Sequence, residues 1–232
     1  MVGKNRFFVF FVRYKNMDLK IAFLDCDGTL TRVKSSWEYI HRRLNIWDNM
    51  ADKYQELFRA GMISYQEFCE RDALLWRGIT KERLGHIVRE IEYQDHARIL
   101  VDFLKSAGIY TIIVSTGLSA VVERVKNELG IDRAIANELL FHNGLLTGEI
   151  KINVEYNKKD IFVKQIMYDL GLKKEQACAI GDGEGDTGLF ESVDVGIMLV
   201  DDICGIEEGE DYIRCGSLYH AKIFLERYVQ KR

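Results

Sequence analysis

The sequence predicts an α/β fold: a mostly parallel sheet covered by helices on both faces, with an all-helical unit inserted after the first strand. Three observations carry this. The apolar run Ile21-Ala22-Phe23-Leu24 ends abruptly at Asp25-Cys26-Asp27-Gly28-Thr29, as a strand does when it delivers polar groups to its C-terminal tip. Residues 35–92 then show apolar spacings of three and four with no strand pattern. From residue 97 onward, short apolar runs alternate with amphipathic stretches, the pattern of parallel strands joined by helical crossovers.

Within the inserted stretch, Trp37, Ile40 and Leu44, then Met50, Tyr54, Leu57 and Phe58, then Tyr65, Phe68, Leu74 and Leu75 recur at helical intervals. Gly61 and Gly78 punctuate these helices, and Ser64 with Glu67 has the spacing of a capping box. Beyond it the pattern predicts a helix over 97–106, a strand over 110–115, a helix over 119–129, and a hairpin over 139–154 turning at Asn143-Gly144. A helix over 160–170, a strand over 177–181, a short helix near 188–192, a strand over 195–199 and a helix over 218–229 complete the series. The acidic stretch 207–211 reads as a solvated loop. Residues 1–16 precede the first well-patterned strand, which Met17 opens, and form either an upstream extension or an extra edge strand. The expected organisation is a core of residues 1–32 and 94–232 with an inserted helical unit of 33–93.

Composition narrows the function. A net charge of −4 and a pI near 5.8 argue against a nucleic-acid surface, so an anionic substrate must be drawn by a local positive site. Five cysteines are scattered without C-x-x-C spacing, which reads as reduced thiols in a cytosolic protein. The apolar run 7–12 is too short for a signal segment or a membrane span.

Four motifs carry chemistry. Asp25 and Asp27, two apart on a strand, project from one face and repel each other unless a cation lies between them or one holds a proton. Gly28 lets the chain turn and brings backbone amides to a ligand. Ser115-Thr116-Gly117 joins a strand to a helix, supplying a hydroxyl and free amides suited to an anion. Lys158 and Lys159 precede an amphipathic helix, and Gly181-Asp182-Gly183-Glu184-Gly185-Asp186 follows an apolar run with carboxylates suited to a hard cation. All four fall at strand exits or helix starts and should meet at one sheet edge, the inventory for metal-assisted chemistry at a phosphate.

These motifs, in this order from about residue 20 to 200, resemble the haloacid dehalogenase superfamily of phosphohydrolases, most closely its phosphoserine-phosphatase-like branch. The resemblance implies a Rossmann-like three-layer core with residues 33–93 as a helical cap. It implies that Asp25 is a nucleophile forming an aspartyl-phosphate and that Asp27 is the acid and base. Mg²⁺ would be held by Asp25, the Asp27 carbonyl and Asp182, with Asp186 as ligand or support. Phosphate would be bound by Ser115, Thr116, Gly117, Gly28 and Lys159, the last fitting the family's register better than Lys158. The implied activity is hydrolysis of a small phosphorylated metabolite in the cytoplasm; alternatives on the same scaffold are a phosphomutase or phosphotransferase and a non-catalytic phosphate-binding regulator. Arg71 is in position to contact a substrate carboxylate, and Trp37, Tyr54, Phe58 and Trp76 are candidates to line the pocket. Two features depart from the phosphoserine enzymes: Gly185 stands where they commonly carry asparagine, and residues 32–37 lack their glutamate.

Overall fold

The computed structural model describes residues 18–46, 49–209 and 211–229, so the expectations for residues 1–16 and Met17 lie outside it. Strand β1 (Ile21–Leu24) is followed by four helices: α1 (Ser36–Arg43), α2 (Asn49–Arg59), α3 (Tyr65–Leu74) and α4 (Lys81–Arg89). Alternation then resumes with α5 (Ala97–Ser106), β2 (Tyr110–Leu118), α6 (Ser119–Leu129), β3 (Arg133–His142) and β4 (Leu145–Lys151). It continues through α7 (Lys159–Asp169), β5 (Ala177–Gly181), α8 (Thr187–Glu191) and β6 (Val195–Leu199). Last come β7 (Ile206–Glu208), β8 (Ile213–Cys215) and α9 (Leu218–Tyr228).

The strands form one sheet in the order β4-β3-β2-β1-β5-β6-β8-β7, parallel except for β4 and β7 at its two edges. Strand β1 is wholly buried at its centre, which is why it reads as an unbroken apolar run. Ile21 and Phe23 face the core layer containing Val163, Ile166 and Met167 of α7 and Leu189 and Phe190 of α8. Ala22 and Leu24 face the opposite layer, which holds Leu100 and Leu104 of α5, Val121 and Val125 of α6, and Leu225 of α9. This is the Rossmann-like three-layer α/β core.

The differences from expectation lie at element ends and in two short strands, β7 and β8, that the pattern does not predict. Strand β2 runs on to Leu118, and β3 starts at Arg133, ahead of the predicted hairpin. The acidic stretch is not all loop: Glu207 and Glu208 lie in β7, where Arg214 of β8 pairs with Glu207 at 3.1 Å. Asn143 and Gly144 both adopt left-handed φ (49° and 77°), the geometry of a tight two-residue hairpin turn. That hairpin holds the turn between α3 and α4. Gly78 N–H donates to the Leu146 carbonyl (2.8 Å), Leu146 N–H to Ile79 (2.9 Å) and Lys81 N–H to Gly144 (2.9 Å).

Candidate active site

Parallel pairing of β1 with β2 and β5 sets Leu24 level with Ile113 and Ile180, so Asp25, Ser115 and Asp182 emerge at one edge. Asp25 N–H still donates to the Ile180 carbonyl at 2.9 Å, fixing the loop's departure. Lys159 opens α7 and is buried, its Nζ donating to Asp25 Oδ1 (2.5 Å) and Asp186 Oδ1 (2.6 Å). Lys158, one residue earlier, is half exposed and pairs with Glu155 instead. Thr29 Oγ1 lies 3.3 Å from both Asp25 Oδ2 and Asp182 Oδ1. Asp27 Oδ2 accepts the Ser36 N–H at 2.7 Å, whereas its buried Oδ1 has no hydrogen-bond partner among the described residues.

Two glycines are required by close approach. Gly28 has φ +78°, and a Cβ there would fall 2.2 Å from Asp182 Oδ2. A Cβ on Gly117 would lie 2.9 Å from Asp27 Oδ2 and 3.1 Å from Ser115 Oγ, filling the cradle between them. Gly117 N–H donates to Ser115 Oγ at 3.0 Å. The Thr116 carbonyl on the same peptide accepts from Tyr65 Oη (3.0 Å) and Asn137 Nδ2 (3.0 Å). A planar trans peptide directs its N–H opposite to its carbonyl, so these two donors aim the Gly117 N–H.

The electrostatics are those of crowded, buried carboxylates. Burial pushes Asp25 up to about 8; Lys159 opposes the shift, and the neighbouring Asp186 and Asp182 carboxylates add to it. Burial also raises Asp27 against the pull of the Ser36 hydrogen bonds, and raises Asp182 against the pull of Lys34, 3.0 Å away. Lys159 is held above its ordinary value, since Asp25 and Asp186 outweigh the opposing effect of burial. Carboxylate oxygens of Asp25, Asp182 and Asp186 lie within 4.8 Å of one another, a hard-oxygen set that fits a divalent cation such as Mg²⁺. Asp186 is already engaged at both oxygens, by Lys159 and by the Asp182 and Gly183 N–H groups at 3.0 and 3.3 Å.

These groups open into a cleft of about 570 Å³. Its other wall comes from the inserted helices and includes Trp37, Glu38, Phe58, Tyr65, Phe68 and Asp72. Of the four expected aromatics, Trp37 and Phe58 line the cleft and Tyr54 does not, while Trp76 is fully buried and stacks on Trp37 at 5.2 Å. The structure does not bring Arg71 to the cleft: its guanidinium pairs with Glu67 at 2.5 Å and lies over the Tyr54 ring. The cleft face of α3 is Tyr65, Phe68 and Asp72, and the spacing of three and four was a legible sign of that face. Asn137 carried no such sign, being one polar residue in an unpredicted strand start.

Residues 22–191 match the family model of the haloacid dehalogenase-like hydrolases. A phosphoserine phosphatase of Archaeoglobus fulgidus is 33% identical over 185 residues, covering 79% of this chain and 53% of that protein, so the chain spans about half of that relative. A phosphoserine phosphatase of Methanocaldococcus jannaschii is 26% identical over 181 residues, or 78% of this chain and 85% of that one. The solved phospho-aspartyl intermediate analogue of a phosphoserine phosphatase shares the fold, with a TM-score of 0.68 at 24% identity over 78% of this chain and 87% of that chain. With most of its length covered by the family model and all four motifs meeting at one sheet edge, the chain belongs to the haloacid dehalogenase-like hydrolase family, in its phosphoserine-phosphatase-like branch.

Proposed function

We propose that this hydrolase is a Mg²⁺-dependent phosphomonoesterase acting on a small phosphorylated metabolite through an aspartyl-phosphate on Asp25. One observation carries the reading: Asp25, Asp27, Ser115, Gly117, Lys159 and Asp182, from four separate segments of the chain, line a single cleft. The Asp25 carboxylate attacks phosphorus as the ester P–O bond breaks, and Asp27 gives its proton to the leaving alcohol oxygen. A water then attacks the phosphorus, Asp27 takes its proton, and the bond to Asp25 breaks to release orthophosphate. Burial of Asp27 supports the first half of this cycle, because it favours the protonated acid. Ser115 Oγ, Gly117 N–H and the Lys159 ammonium bind the phosphoryl oxygens, with Thr116 and Gly28 shaping the loops around them. Asp25, the Asp27 carbonyl and Asp182 would hold Mg²⁺, which when bound supplies positive charge beside the phosphoryl group. Asp186 supports this set by gripping Lys159 and the loop amides.

Residues 33–93 act as the cap that shapes the cleft, whose volume suits a small molecule. Five free cysteines are in keeping with a cytoplasmic setting. The test is orthophosphate release from a phosphomonoester panel, phosphoserine included, with Mg²⁺ and then with EDTA. Turnover should require Mg²⁺ and vanish in Asp25→Asn, since uncatalysed monoester hydrolysis is among the slowest known reactions. Turnover by Asp25→Asn near the wild-type rate would rule out the covalent route.

A further inference from the structure

We infer that Asp72 selects the substrate's alcohol, and that this alcohol carries a hydrogen-bond donor, an ammonium being favoured over a hydroxyl. The inference rests on the phosphomonoesterase reading and concerns the wall that the inserted helices give the cleft. Asp72 on α3 is 2% exposed yet belongs to that wall. Its Oδ2 lies 3.5 Å from His41 Nε2, and its Oδ1 has no hydrogen-bond partner among the described residues.

The surroundings brace this carboxylate. His41 Nδ1 accepts the Trp76 indole N–H at 3.0 Å. An indole nitrogen can only donate, so a neutral His41 carries its proton on Nε2, the nitrogen facing Asp72. Trp76 is stacked in turn on Trp37 of α1. The two tryptophans therefore hold the His41 ring beside one oxygen of Asp72, at a distance too long for a hydrogen bond, and leave the other oxygen unused. A carboxylate with a purely structural role is expected to have both oxygens satisfied, because a bare buried acceptor is costly and a buried charge more so. Neighbouring Trp37, Phe58 and Phe68 offer no charge to offset it. Lys34 and Lys159 face Asp182, Asp25 and Asp186, and Arg59, which also lines the cleft, makes no ion pair with Asp72 among the described residues. The unused acceptor is left for the ligand, and a cationic donor gives the stronger, charge-assisted bond.

The experiment compares three phosphate esters of matched length, ending in an ammonium, a hydroxyl and a methyl group, with an aryl phosphate as control. For the wild type, kcat/KM should fall in that order, about ten- to a hundredfold from ammonium to methyl. Asp72→Asn should bring the ammonium ester down to the methyl ester while leaving the methyl and aryl esters within about twofold of wild type. Equal rates for the three esters in the wild type would overturn the inference without any variant. So would an Asp72→Asn loss of equal size on all four substrates, which marks a structural role. Failure to release orthophosphate even from the aryl ester would overturn the phosphomonoesterase reading itself, and this inference with it.

Discussion

Asp25 shows how a single residue is forced to serve the site. It is buried beside Asp182 and Asp186, with Lys159 as its one close cation among the described residues. Burial and crowding raise it from 3.8 to about 8, so folding makes its carboxyl hold a proton more tightly. Across that window the folded chain binds more protons than the unfolded chain, and the Asp25 contribution to stability falls as pH rises. Metal-free wild type should therefore lose melting temperature relative to Asp25→Asn between about pH 5 and pH 8, and Mg²⁺ should narrow the gap by binding only the folded state. Melting curves in EDTA and in Mg²⁺ check this; a gap independent of pH would mean that Asp25 does not titrate there. The residues of this cluster were legible because each is tied to a strand exit, where backbone direction alone fixes the placement. For Arg71 and Asp72 no strand exit served as a guide, and only the three-and-four spacing from Tyr65 and Phe68 favoured Asp72. Adjacent residues on a helix point about 100° apart, and the choice between them depends on which face packs on the core.

Helices and strands were legible where burial on one or both sides imposed a period, as in α5, α6, β5 and β6, whose predicted bounds match. They were not legible where pairing is carried by polar residues: β3 opens on Arg133, and β7 and β8 are three-residue strands at the sheet edge held by Arg214. Asn137 of β3 shows what was hidden. Its Oδ1 accepts the N–H groups of Asn153 (2.9 Å) and Val154 (2.8 Å), while its Nδ2 reaches the Thr116 carbonyl. From the other side Tyr65 of α3 donates to the same carbonyl, so an inserted helix and a core strand jointly aim the phosphate-binding peptide. Tyr65→Phe deletes two neutral hydrogen bonds, the one its hydroxyl donates to the Thr116 carbonyl and the one it accepts from Asn137 Nδ2 at 3.2 Å, and keeps the ring. It should lower kcat/KM about two- to tenfold. The loss should be the same for every phosphate ester, because it acts on the phosphoryl end and not on the alcohol. A loss confined to one substrate would show that Tyr65 reads the alcohol instead.

At the scale of the whole molecule, the inserted helices and the core meet across the cleft in two unlike ways. The turn between α3 and α4 is tied to the β3–β4 hairpin by three backbone hydrogen bonds, and Thr80 bridges to Leu145 beside them. The hairpin is held by its tight turn, so it offers a fixed anchor. Helix α2 packs chiefly on α3 and reaches the core through Phe58, whose ring meets Tyr156 edge-on at 5.6 Å. Lifting all four helices as one body would break the three backbone bonds together, each worth about 0.5–1.5 kcal/mol net, before any apolar contact is lost. Moving α2 alone breaks ring contacts and, among the described residues, no backbone pairing with the core. Entry of substrate should therefore open the cleft at α2 while the hairpin keeps its grip on α3 and α4. Hydrogen exchange measured with and without Mg²⁺ and orthovanadate tests this directly. Amides of Gly78, Lys81 and Leu146 should exchange slowly in both states, and those of α2 should slow only when the ligand is bound. Ligand-dependent slowing at Gly78 and Leu146 as large as in α2 would show that the inserted helices move as a single lid.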